Sequence, residues 1–221
     1  QKEIDAMLEV ISKGKFSMGE KVKNFEDDFA RYLDCKYTVM VNSGSSANLL
    51  MIAALFFTKV PYLKPLDEVI VPAISWSTTY FPLQQYGFRI KFVDIKPNTL
   101  NVDVDDVISK VSSKTKLIML INVLGYSSDL IKLKKFCKKN KIILIEDTCE
   151  ALGSTFKNKP LGTFGEFSSF SFYYSHHITS GEGGIVCAKN SKDFEVIKSL
   201  RSHGWSRGLS KSEKIAKKYK N

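Results

Sequence analysis

Ile142-Ile143-Leu144-Ile145-Glu146-Asp147-Thr148-Cys149-Glu150 is the stretch that decides the fold. Four aliphatic residues in a row present apolar side chains to both sides of an extended chain. Such a strand is covered on both faces, as in a parallel sheet with helices above and below. The run then ends in three carboxylates within five residues. In open α/β sheets the carboxyl ends of the strands face the ligand crevice. Asp147 stays ionised there only if it is paired with a cation or well hydrogen-bonded. Taken alone, the cluster also fits a magnesium site or a helix cap.

Runs of similar character lie on both sides. Tyr37–Val41, Glu68–Val71, Ile90–Val93, Leu117–Ile121, Phe167–Phe172 and Gly184–Ala188 join Ile142–Glu146 as strand candidates. Helical spacing falls between them: Val22, Phe25, Phe29 and Leu33; Val104, Val107, Ile108 and Val111; Leu130, Leu133 and Phe136. Ser127 or Ser128 can cap the start of the last of these helices, and Asn140 can close its end. A further helix is expected near Lys192–His203. Alternating strands and helices predict an α/β fold with a mostly parallel seven-stranded sheet and helices on both faces.

The 221 residues are 43% hydrophobic and 12% aromatic, which excludes disordered, collagen-like and disulfide-scaffold classes. The longest apolar run, Leu49 to Phe57, is far short of the roughly 18–20 residues a membrane span needs. Lysine and arginine number 33 against 23 acidic residues, a net charge of +10. Only four of the 33 are arginines, and five lysines lie between Gly208 and Asn221. A nucleic-acid or membrane patch would be clustered and richer in arginine. The expectation is a solvated lysine-rich surface, with neither nucleic acid nor membrane as a partner. Cys35, Cys137, Cys149 and Cys187 form no CxxC and no zinc spacing. Reduced thiols, with Cys137 and Cys187 in the core, and a cytoplasmic setting are expected, with no metal site. The chain opens without Met inside a helical pattern, and is read as an internal piece of a longer one.

Three further motifs carry chemistry. Asn42-Ser43-Gly44-Ser45-Ser46-Ala47 joins a strand to an apolar helix. It is either a plain turn with serine caps or a phosphate seat at the positive end of the helix dipole. Ser169-Phe170-Ser171-Phe172-Tyr173-Tyr174-Ser175-His176-His177 runs from a strand into a polar loop, which ends in Gly181-Glu182-Gly183-Gly184. Pro72-Ala73-Ile74-Ser75-Trp76-Ser77 follows the second strand; Trp76 is either a core aromatic or a stacking plate for a planar ring.

In this order and spacing the motifs resemble the sugar aminotransferase family (the DegT/DnrJ/EryC1/StrS group) of fold type I pyridoxal-phosphate enzymes. The resemblance runs from Gly19-Glu20 and Phe25-Glu26 through Ser43-Gly44-Ser45, Asp67 to Pro72, Val93-Asp94-Ile95, Glu146-Asp147, Ala151-Leu152-Gly153 and Gly162 to Gly181-Glu182-Gly183-Gly184. It implies that Gly44 and Ser45 give backbone N–H groups, and Ser171 a hydroxyl, to the cofactor phosphate. Trp76 would stack on the pyridine ring. Asp147 would pair with the ring nitrogen and Glu150 would sit near the ring hydroxyl.

One departure decides the chemistry the resemblance implies. Most family members place a cofactor-bonding lysine where this sequence has His176, and usually carry Gln where Glu150 stands. Both changes resemble the pyridoxamine-phosphate-dependent nucleotide-sugar 3-dehydratases, of the GDP-4-keto-6-deoxymannose type. There the cofactor condenses with the C4 ketone of a nucleotide sugar, and His176 would act as base and then acid while the C3 hydroxyl leaves. Glutamate would regenerate pyridoxamine phosphate. A related dehydratase adds an iron–sulfur cluster. These four cysteines lack cluster spacing, but the resemblance implies that its cysteines belong to a C-terminal region outside this sequence, so both subtypes stay open. An aminotransferase that tolerates histidine, and a non-enzymatic cofactor-binding regulator, are the alternatives. The resemblance further implies a homodimer with the active site at its interface, and a role in surface polysaccharide synthesis such as lipopolysaccharide. Residues 1–207 would be an N-terminally incomplete cofactor-binding large domain. Residues 208–221 would begin the connection to a C-terminal small domain.

Overall fold

The computed structural model describes residues 1–58, 63–206 and 209–210. Two helices open the chain, α1 (Lys2–Lys13) and α2 (Glu20–Leu33). Then come β1 (Tyr37–Val41), α3 (Gly44–Thr58), β2 (Glu68–Pro72), α4 (Ser77–Gln85), β3 (Arg89–Val93), α5 (Val104–Lys110) and β4 (Thr115–Ile121). A short 3₁₀ turn leads to α6 (Leu130–Asn140) and β5 (Ile143–Asp147). A two-stranded ribbon, β6 (Thr155–Phe156) and β7 (Lys159–Pro160), precedes β8 (Phe167–Ser171), β9 (Gly184–Ala188) and α7 (Ser191–Arg201). The segment 208–221, expected to begin a connection, lies almost wholly outside the described residues.

Seven strands form one sheet in the order β1-β9-β8-β5-β4-β2-β3. Neighbours pair in parallel except that β9 runs against both β1 and β8. The mostly parallel seven-stranded sheet expected from the sequence is therefore present, with strand ends within two residues of the expected ones. Alternation divides each strand between two cores. Val69, Val71, Leu117, Met119 and Ile145 pack with α3, α4 and α7 on one face. Ile70, Ile118, Leu120 and Leu144 pack with α5 and α6 on the other, where Phe29 and Leu33 of α2 also cover Phe170, Ile185 and Cys187.

Helix α3 sits deepest. Ala47, Met51, Ile52, Ala54 and Leu55 are fully buried, which accounts for the unbroken apolar run. Each large aliphatic chain so buried contributes about 1.5–3 kcal/mol. A partly buried ion pair, Arg201 to Glu26 at 2.8 Å, ties α7 to α2, and the same carboxylate accepts from the Met40 N–H of β1.

Two expected helix ends are corrected. Helix α6 is capped by Asp129, whose carboxylate accepts from Lys132 N–H, rather than by Ser127 or Ser128. The helix begins after Asp129, and Ser128 contributes only its carbonyl, to Leu130 N–H. At the other end Lys141 takes the left-handed position, while Asn140 stays helical and bonds back to the Phe136 carbonyl.

Candidate active site

Strands β4, β5 and β8 are parallel and end on the same side of the sheet. The turn after β1 closes in beside them. Ser43 caps α3: its Oγ accepts from Ser46 N–H at 3.1 Å, and its carbonyl from Ala47 N–H. The N–H groups of Gly44 and Ser45 open the helix and have no intrahelical acceptor. Gly44 allows the turn to lie against the end of β8. A Cβ there would fall 2.6 Å from Ser171 Cβ and 2.8 Å from Cys149 Sγ. Gly184 makes the matching approach from β9, since its Cβ would meet the Ser43 carbonyl at 2.3 Å.

Asp147 ends β5 almost fully buried. Its Oδ2 accepts from Asn48 Nδ2 and from Thr79 Oγ1, each at 2.8 Å, and its Oδ1 from Cys149 N–H at 3.2 Å. Asn48 is itself fixed, because its Oδ1 accepts from Ser169 Oγ at 2.6 Å. The carboxylate is thus set in place by α3, α4 and β8 together. Glu146 points the other way and serves the fold. Its two oxygens accept from the N–H groups of Gly162, Phe164 and Gly165 and from Asn122 Nδ2. The third acid, Glu150, accepts from Leu124 N–H at 3.1 Å. Leu124 reaches it through a left-handed turn, with φ of 51° followed by Gly125 at 79°.

Ser43, Gly44, Asp147, Cys149, Glu150 and Ser171 line one cavity of about 460 Å³, within the usual range for a small-molecule site. All seven sequence candidates, Gly44, Ser45, Trp76, Asp147, Glu150, Ser171 and His176, are on its wall. Trp76 is 69% exposed at the start of α4, so it is a rim plate rather than a core aromatic. His176 is half-buried, its N–H bonded to the Tyr173 carbonyl and its ring 6.4 Å from the Tyr173 ring. His177 is exposed and not on the wall. Burial, with the Asp147 carboxylate next in effect, pushes the Cys149 thiol well above its ordinary value. It remains a neutral, compact part of the wall.

Asn48 and Thr79 are the functional residues that sequence reasoning missed. Asn48 left one signal, a polar residue inside an otherwise apolar helix. Thr79 left none. Tyr173, Ser175 and Glu182 also reach the wall from the His176 loop. Among the described residues no lysine lines this cavity, and no cluster of three or more His, Cys, Asp or Glu is placed to hold a metal ion. Nor is any described helix long and apolar enough to cross a membrane.

Comparison with known proteins agrees with this geometry. The chain is 50% identical to the GDP-4-keto-6-deoxy-D-mannose 3-dehydratase of Escherichia coli O55:H7 over 213 residues, 96% of this chain and 55% of that one. The Escherichia coli enzyme of that name, solved with bound hydrated pyridoxal phosphate, superposes with a TM-score of 0.91 at 51% identity, over 95% of this chain and 54% of its own. A GDP-4-keto-6-deoxymannose 3-dehydratase solved with a trapped pyridoxal phosphate–glutamate adduct gives 0.91 at 50%, with the same coverage. This chain spans about half the length of these relatives. Residues 1–220 match the family model described as the DegT/DnrJ/EryC1/StrS aminotransferase family, and the chain belongs to that family.

Proposed function

We propose that this chain is the cofactor-binding large domain, spanning residues 1–207, of a pyridoxamine-phosphate-dependent 3-dehydratase acting on a nucleotide-linked 4-keto-6-deoxy sugar. The observation that carries the reading is His176 on the wall of a cavity that no described lysine reaches. The residues present fit the cofactor. Gly44 lies close against Ser171, so no side chain at that position covers the two free N–H groups and the hydroxyl that a phosphate would use. The buried Asp147 carboxylate, held on three sides, presents a negative charge suited to a protonated ring nitrogen. When bound, pyridoxamine phosphate supplies an amine for a ketone and a ring that draws electrons from the neighbouring carbon.

The chain's own groups then have defined tasks. Gly44, Ser45 and Ser171 bind the phosphate, and the α3 dipole adds to that attraction. Trp76, exposed on the rim, would supply a stacking face for the ring. Asn48 and Thr79 keep Asp147 aimed into the cavity. Glu150, steadied by the Leu124 amide, would sit near the ring hydroxyl. The His176 imidazole would take up the proton released from the cofactor's amine-bearing carbon and return it to the departing C3 hydroxyl. Imidazole can be base and then acid at neutral pH.

The rest of the reading follows the family resemblance. Glutamate serves as amino donor, in keeping with the adduct solved in the 3-dehydratase. The enzyme works as a homodimer in the cytoplasm and serves surface polysaccharide synthesis. The exposed apolar stripe of α1, with Ile4, Met7, Leu8 and Ile11 each at least half accessible, suits cover by a second subunit. The test uses the full-length enzyme with a GDP-linked 4-keto-6-deoxy sugar, the cofactor and glutamate. A 3-deoxy ketone with released ammonia supports the proposal. A stable 4-amino sugar would instead make the protein an aminotransferase, the activity in the family's name.

A further inference from the structure

A second cavity, of about 330 Å³, opens at the opposite end of the sheet, where Cys35 and Cys187 share its wall with Ser168 and Lys189. Helix α2 ends at Leu33, and a left-handed Asp34 turns the chain so that Cys35 packs back against the cluster holding Phe170, Ile185 and Cys187. Cys35 is partly exposed, whereas Cys187 lies behind it on β9 and is 3% exposed. Both thiols face this cavity, and Cys35, whose Sγ donates to the Tyr37 carbonyl at 4.0 Å, packs against the cluster that holds Cys187. Neither has a place in the site described above.

We propose that Cys35 and Cys187 are a dithiol site that closes reversibly to a disulfide on exposure to small-molecule disulfides. The two sulfurs have different roles. The neighbouring Cys187 thiol holds the Cys35 pKa below its ordinary value, so the outer sulfur is the better nucleophile. Burial raises Cys187 well above its ordinary value, so the inner sulfur waits as a neutral thiol. The Cys35 thiolate attacks one sulfur of RS–SR, forming a mixed disulfide and expelling RS⁻. Cys187 sulfur then attacks Cys35 Sγ, releases its proton and expels the second RS⁻. Two protein thiols are oxidised and one RS–SR is reduced to two RSH. The bridge would join the α2–β1 junction to β9, the strand that receives the His176 loop.

The test treats the reduced full-length enzyme with glutathione disulfide under native conditions, followed by acid quench, alkylation and peptide mapping. The expected result is a Cys35–Cys187 cross-linked peptide that dithiothreitol reverses, with Cys137 and Cys149 alkylated. Cys187→Ala should accumulate glutathione on Cys35, and Cys35→Ser should leave Cys187 unmodified. Wild-type enzyme that holds glutathione stably on Cys35 while Cys187 remains free overturns the proposal. So does a wild-type Cys35 that stays unmodified, or a bridge through another cysteine. The decisive comparison is made on the wild-type chain, so a poorly folding variant cannot mask the answer.

Discussion

Strand β8 runs between two cavities of opposite character. At its start Phe167 and Ser168 line the smaller one, whose wall carries Lys36, Lys159 and Lys189 beside two thiols. At its end Ser171 lines the larger one, with hydroxyls, carboxylates and His176 but no described lysine. The same strand therefore serves an amine-rich site and an amine-free one. The chain does hold a lysine suited to bond an aldehyde: burial, with Lys134 next in effect, lowers Lys189 to about 8. It stands at the wrong end of the sheet. In this molecule it is position, not the supply of amines, that leaves the cofactor pocket with an imidazole.

Four predictions can break or sharpen that contrast. The largest effect is expected at the amine-free end. His176→Asn in the full-length enzyme should lower dehydration by about 10²–10⁴-fold while cofactor absorbance is retained; unchanged turnover would remove the imidazole from the reaction. Next come the two adjacent acids of β5. Asp147→Asn should weaken cofactor binding and turnover by about 10²–10³-fold, the usual result of losing one side of a buried charge pair. Glu146→Gln should leave turnover per folded molecule near wild type but destabilise the fold by about 1–3 kcal/mol, because its backbone donors lose an acceptor charge. Equal effects of the two variants in a paired activity and denaturant series would erase the distinction drawn between them.

Borohydride reduction of the pyridoxal form should leave little covalent label in the larger cavity. Any label that persists through denaturation should map to Lys189 and disappear in Lys189→Met. The smallest effect is the pH response of that amine. The folded chain gives up the Lys189 proton near pH 8, whereas an unfolded lysine keeps it to about 10.4. The unfolded state therefore binds more protons in that window, and the Lys189 contribution makes stability rise with pH from about 8 to 10. Denaturant melts at pH 7, 8, 9 and 10 should show a shallower rise for Lys189→Met.

Much of this architecture was legible because the sheet is buried on both faces. Apolar runs such as Ile143–Ile145 and Leu117–Ile121 can be little else when turn residues bound them. The ribbon β6–β7 was not legible. Its strands are two residues long, and its turn places Lys157 and Asn158 at positive φ without a glycine. The N-cap of α6 slipped for a related reason: Asp129 directly follows Ser128 and is as good a capping residue, and only the geometry decides between them. The residues on the cavity wall were legible through the family's motif order, which names the groups expected to touch the cofactor. It does not name the groups that hold them. Asn48 and Thr79 reach Asp147 across 99 and 68 residues of sequence, and no local pattern encodes such a pairing.

The antiparallel β9 has a consequence for how this protein could change. Residues 172–183, which carry His176, are an arm clamped at both ends by the β8–β9 ladder, from Phe167↔Ala188 to Ser171↔Gly184. Exchanging one side chain on that arm would change the group presented to the cavity without disturbing its hinges. Lengthening the arm would swing that group while the Gly44 turn stays still. Chemistry and anchorage can thus drift separately in descendants of one scaffold.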